Sequence, residues 1–98
     1  MGFFDALKAM TAPDRYEAKY RGHEIVVEYG TTVLYWYLDG EEVGRETENA
    51  PYGKTLSALL TDGSEDKSLE LTYRIDQYRL EFVKLKVEGR EIPLKRVN

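Results

Sequence analysis

From Tyr16 onward apolar and polar side chains alternate, the period of a strand with one buried face, and short turn signals punctuate the alternation. Arg21-Gly22, Gly30-Thr31 and Asp39-Gly40 each read as a two-residue hairpin turn. The first pairs Ala18 with Ile25. The second pairs Val27 with Leu34 and Ile25 with Trp36, and the third pairs Trp36 with Val43. Together they place Tyr16, Ala18, Ile25, Val27, Leu34, Trp36, Leu38 and Val43 on one face of a four-stranded meander over residues 14–48. Agreement among three turns outweighs any single apolar run, because a one-residue slip turns a whole strand inside out.

Residues 68–98 read as a second meander, of three strands. An Asp76-Gln77 turn pairs Ile75 with Tyr78, Tyr73 with Leu80 and Leu71 with Phe82, all facing the core. A Glu88-Gly89 turn pairs Leu85 with Ile92 and sets Lys86 opposite Glu91 as a cross-strand ion pair. The apolar phase changes between Phe82 and Val83, which a β-bulge explains. Between the meanders, residues 49–67 read as a crossover loop, with Lys54 to Leu60 able to form a short helical turn. Ahead of them, residues 3–11 predict a short helix with Phe3, Phe4, Leu7 and Met10 at helical spacing, within an N-terminal segment 1–13 closed by Pro13. Two meanders with one apolar face each bury those faces against one another. The expected fold is mainly β: a small antiparallel β-sandwich or partly closed barrel, one domain over residues 1–98, with a short N-terminal helix.

The segments His23–Thr32 and Val87–Pro93 resemble stretches of the Fas apoptosis inhibitory molecule family, over less than a third of the chain. The resemblance implies a β-sandwich and brings no functional motif with it.

Composition narrows the chemistry. There is no cysteine and one histidine, so neither disulfides, thiolate metal sites nor a cysteine nucleophile are available. Eight Tyr, three Phe and one Trp suit β structure. Residues 1–66 hold six Lys/Arg against thirteen Asp/Glu, and residues 67–98 hold eight against five. Such a chain lacks the broad basic footprint of a duplex-binding protein. Its start has neither a basic region nor a long apolar run, so the expected compartment is the cytoplasm.

Candidate chemistry is sparse. His23 next to Glu24 spells a base and an orienting carboxylate, but neighbouring strand residues point to opposite faces. The expectation is a solvated His23, with no catalytic residue, no metal and no cofactor. Gly53-Lys54-Thr55 lacks the earlier glycine of a phosphate loop, that position being Glu48. Asp62 to Asp66 lacks the oxygen spacing of a calcium loop.

Two surfaces stand out instead. The face opposite the first core carries Val26, Val33, Tyr35 and Tyr37 among glutamates, and tyrosines are enriched where proteins meet. The outward face of the second meander carries Arg74 and Arg79 opposite each other. The expectation is a non-catalytic interaction module, an adaptor or inhibitor, that meets a protein partner or a second copy through these residues. The competing expectation is a binder of small molecules, carbohydrates or nucleotides that uses an aromatic-lined pocket. Membrane contact through Phe3, Phe4, Leu7 and Met10 lacks the basic polar face that surface helices show, and is not expected to be the main role.

Overall fold

Four hairpin turns among the described residues place two consecutive residues at positive φ: Arg21-Gly22, Asp39-Gly40, Gln77-Tyr78 and Glu88-Gly89. That backbone twist matches the right-handed twist of the flanking strands, which is why these turns join antiparallel pairs so tightly. The computed structural model describes residues 14–30 and 32–97. The helix expected over residues 3–11, with Phe3, Phe4, Leu7 and Met10, lies outside them.

The strands are β1 (Asp14–Tyr20), β2 (His23–Gly30), β3 (Val33–Leu38), β4 (Glu41–Glu46), β5 (Ala50–Asp62), β6 (Glu65–Asp76), β7 (Arg79–Val87), β8 (Arg90–Ile92) and β9 (Lys95–Arg96). They form two antiparallel sheets, one ordered β4-β3-β2-β1-β9 and the other β5-β6-β7-β8, and neither closes into a barrel. The chain passes from the first sheet to the second after β4, and returns after β8 when β9 pairs with β1. One core joins the sheets. Ala18, Ile25, Val27, Leu34, Trp36 and Leu38 come from the first; Leu60, Leu69, Leu71, Tyr73, Ile75, Leu85 and Val87 come from the second. The core face expected for the first meander is the one observed, with Tyr16 and Val43 packed at its margin.

Three registers differ from expectation. Gly30 is not in the β2–β3 turn: it pairs with Val33, so Ile25 faces Leu38 and Val27 faces Trp36. The slip is two residues, an even number, and it leaves every side chain on its expected face. In the β3–β4 pair the register shifts at Trp36/Tyr37, setting Trp36 opposite Gly44 and leaving Val43 as the extra residue. A Cβ on Gly44 would stand 3.2 Å from the Trp36 ring, so the indole fills the space a side chain would need. The third case is the β6–β7 turn, at Gln77-Tyr78 and not at Asp76-Gln77, with a shift opposite Arg74/Ile75 that leaves Glu81 unpaired. The expected bulge is therefore real, but it lies before Phe82. Phe82 points outward, 46% exposed, and Tyr78 is 61% exposed in the turn, so neither belongs to the core.

The largest correction concerns residues 49–67. They form no crossover loop and no helical turn; β5 and β6 make a long hairpin closed at Gly63-Ser64, with Asp62 opposite Glu65. The second sheet accordingly has four strands, not three. Leu56, Ala58 and Leu60 alternate toward the core while Thr55, Ser57 and Leu59 face out. Leu59 beside Leu60 and the Pro51/Gly53 punctuation conceal that alternation in the sequence.

Candidate functional site

On the outer face of the first sheet, cross-strand pairing lines up two rows. Glu17, Val26, Tyr37 and Glu42 form one, and Arg15, Glu28, Tyr35 and Arg45 the other. Within them the charges find neighbours. Arg15 donates to Glu28 at 2.6 Å and to Glu17 at 3.3 Å, and Arg45 donates to Glu42 at 2.9 Å. The Tyr35 and Tyr37 rings stack with centroids 6.1 Å apart, and the Arg45 guanidinium lies 5.1 Å over Tyr35. Burial, aided by Glu28, raises the Tyr37 phenol above its usual pKa. Val26 is buried and Val33 half-buried at the β2–β3 end of the face. The expected cluster thus exists, but its polar and aromatic groups are largely engaged with one another. Arg15, Glu24, Val26, Glu28, Tyr37 and Gly40 border a shallow depression of about 290 Å³ there.

The outer face of the second sheet has a different character. Here Arg74 stands opposite Phe82, Thr72 opposite Lys84, and Glu70 opposite Lys86. Arg79 pairs with Asp76 in register, so Arg74 and Arg79 do not face each other as expected, although both are exposed. Beyond Arg74 the β5 ladder is interrupted between Ala50 and Lys54, and Tyr52 in that interruption is fully exposed. Gly53 takes φ 91 there, a conformation that favours glycine, and a Cβ would meet the Tyr73 carbonyl at 3.7 Å. The result is a groove of about 310 Å³ lined by Tyr52, Gly53, Thr72, Tyr73, Arg74 and Phe82. No carboxylate among the described residues pairs with Arg74, while Lys84 is shared with Glu91 at 3.4 Å. Glu91 was expected to pair with Lys86, its register partner; the ammonium it meets is Lys84. Sequence reasoning missed Tyr52 and Phe82 because each depended on a ladder irregularity. The change of phase near Phe82 was the one available signal.

His23 is the other surprise. Its ring is partly buried, with Nδ1 2.7 Å from Asp39 and Nε2 3.3 Å from Asp62. Asp39 also accepts the Glu24 backbone N–H at 2.8 Å, and Asp62 accepts from Arg21 at 3.2 Å. Both ring nitrogens therefore face carboxylate oxygens, and only the imidazolium can donate to both. The hydrogen bond to Asp39, followed by the one to Asp62, raises the His23 pKa above its ordinary 6.5 against the effect of desolvation. The Glu24 amide and then His23 hold Asp39 below the usual carboxylate range. A ring so engaged has no free lone pair to act as a base, and Glu24 contributes its amide, not its carboxylate. The expectation of a freely solvated His23 is overturned, because the Asp39-Gly40 and Gly63-Ser64 turns bring two distant carboxylates to it. No group of three or more His, Asp or Glu suited to a metal ion occurs among the described residues.

No family model matches the chain, and neither a curated protein nor a solved structure matches it. The segments that carried the resemblance fall in β2 with its turn and in the β7–β8 hairpin.

Proposed function

We propose that this domain is a non-catalytic protein-binding module that docks an acidic, apolar-containing segment of a partner protein in the groove between Tyr52 and Phe82. The observation that carries this reading is the groove itself. Two exposed aromatic rings flank an arginine with no carboxylate partner among the described residues, on a sheet face whose neighbouring cations are Lys84 and Lys86. Aromatic and arginine side chains concentrate binding energy at interfaces, the rings by burial and the guanidinium by forked hydrogen bonds to carboxylates. Single exposed apolar residues are ordinary on protein surfaces; an aromatic pair around a bare cation is the arrangement an acidic peptide fits. The Tyr35/Tyr37 face supports docking less well, since its cations are already bound to Glu17, Glu28 and Glu42.

A random peptide library displayed on phage tests the assignment. Selection on the domain enriches sequences with Asp or Glu beside an apolar residue, and these lose about tenfold or more in affinity for Phe82→Ser/Arg74→Glu. Enrichment of basic sequences, or equal binding to that variant, overturns the reading. So does a loss confined to Tyr35→Glu/Tyr37→Glu, which would move the interface to the opposite face.

A further inference from the structure

Each sheet ends in two edge strands, and the four edges are defended unequally. β8 and β9 have three and two residues, too short to template another strand. β4 is interrupted by the shift opposite Trp36/Tyr37 and carries Glu41, Glu42, Arg45 and Glu46. β5 has a proline and a break in its ladder only at its start, between Ala50 and Lys54. From Lys54 to Asp62 it pairs with β6 without interruption, and no strand among the described residues pairs with its other side. Between those two charges runs Thr55-Leu-Ser-Ala-Leu-Leu-Thr61, with no charge, proline or glycine. Lysines, prolines and bulges are the usual means of keeping an edge solitary, so a long regular edge without them is built to be paired.

The occupant follows from the order of residues about the midpoint of this stretch, Ala58. Counted outward in both directions, Leu59 matches Ser57, Leu60 matches Leu56, Thr61 matches Thr55, and Asp62 matches Lys54. We infer that β5 pairs antiparallel with β5 of a second copy of this chain about a two-fold axis at Ala58, fusing two four-stranded sheets into one of eight. An isologous contact of this kind needs a self-complementary strip, and this strip is one. Leu56 meets Leu60 of the second copy on the inner face, where Leu56 and Ala58 are only partly buried at the sheet margin. Leu59, 65% exposed on the outer face, lies against Ser57 of the second copy. At each end Lys54, already 2.6 Å from Glu46, meets Asp62 of the second copy, which Arg21 of that copy holds at 3.2 Å. The ends thereby close in a line of alternating charge. The irregularity at Pro51 to Gly53 and the Gly63-Ser64 turn bound the strip on either side, which limits assembly to a pair with one register.

The test uses Ser57 and Leu59, which are exposed in the single chain and opposite each other in the pair. Sedimentation velocity of the full chain over a concentration series shows a dimer that grows with concentration. Ser57→Lys/Leu59→Lys sets like charges opposite one another twice and weakens the dimer by at least about tenfold, as does Ser57→Glu/Leu59→Glu. Mixing the two variants restores a dimer. Circular dichroism and the thermal midpoint of each variant confirm that the fold is kept. A wild-type chain that stays monomeric, a dimer that survives the lysine variant, or a mixture that fails to associate overturns the inference. The peptide-selection experiment reads the Tyr52/Phe82 groove independently of this result.

Discussion

Gly44 and Trp36 show how one residue sets the space available to another. The indole is fully buried and sits across the β3–β4 pair from Gly44, and a Cβ there would also approach Leu56 of the second sheet at 3.3 Å. Distances that short require the neighbours to yield by a few tenths of an ångström. The indole is held by the core on every side, while the end of Leu56 has a partly open margin. Gly44→Ala is expected to destabilise the domain by about 1 kcal/mol, strain outweighing the gain in strand propensity. In a Leu56→Ala background the same substitution costs measurably less, because one obstacle is gone; equal costs in urea denaturation would show that the two sites are uncoupled. None of this was legible in the sequence, where Gly44 reads only as a weak strand residue. The inward direction of Trp36 was legible, since alternation alone determines it.

Among the elements, turns with an X-Gly signature were placed correctly and turns without one were not. Arg21-Gly22, Asp39-Gly40 and Glu88-Gly89 fall where the sequence puts them. Gly30 drew the β2–β3 turn one residue too early, since glycine is the strongest turn signal and the true turn contains Thr32 at φ 70. Gln77-Tyr78 carries no glycine at all, yet both residues adopt positive φ, at 52° and 59°. Side chains other than Gly, Asn and Asp are strained there, so the element holds the conformation against local preference. The Tyr78 amide donates to Asn49 Oδ1 at 3.1 Å, which anchors the turn from the β4–β5 connection and survives loss of the side chain. Tyr78→Gly is accordingly expected to stabilise the domain by about 1 kcal/mol, relieved strain exceeding the added freedom of the unfolded chain. A lowered thermal midpoint would mean that the exposed phenol ring packs more than its accessibility implies. The second groove residue, Phe82, was misplaced for a different reason: moving the turn by one residue shifts the pairing by two and keeps every face, whereas the extra residue at Glu81 shifts it by one more and turns Phe82 outward.

At the scale of the whole molecule, the His23 cluster fastens one sheet to the other at a single end. His23 opens β2 and Asp39 sits in the β3–β4 turn, both of the first sheet, whereas Asp62 ends β5 of the second. Arg21 reaches Asp62 from the β1–β2 turn, and Glu65, paired with Lys67 at 2.8 Å on β6, feels both Arg21 and Asp62. The other charged contact between the sheets, Lys54 on β5 with Glu46 on β4 at 2.6 Å, keeps both charges near neutrality because each partner holds the other ionised, and the core between the layers is apolar. The ring's charge is therefore a pH-dependent link between the layers. Because its folded pKa is raised above the unfolded value of 6.5, the link contributes fully below that value and is lost as pH rises through the folded pKa. Asp39, held low, acts in the opposite sense and loses its contribution only in acid, as pH falls through its depressed pKa. The stability of wild type in urea is thus expected to fall relative to His23→Gln, whose amide does not titrate, as pH rises from below 6.5 through the raised folded pKa. Parallel profiles would mean that the imidazolium contributes equally to the folded and unfolded chains. A steeper fall in the His23→Gln variant would place the proton on another group of the cluster. Asp39→Asn separates those cases, since it removes the larger of the two influences raising the His23 pKa and should flatten the wild-type slope while leaving the Asp62 contact in place.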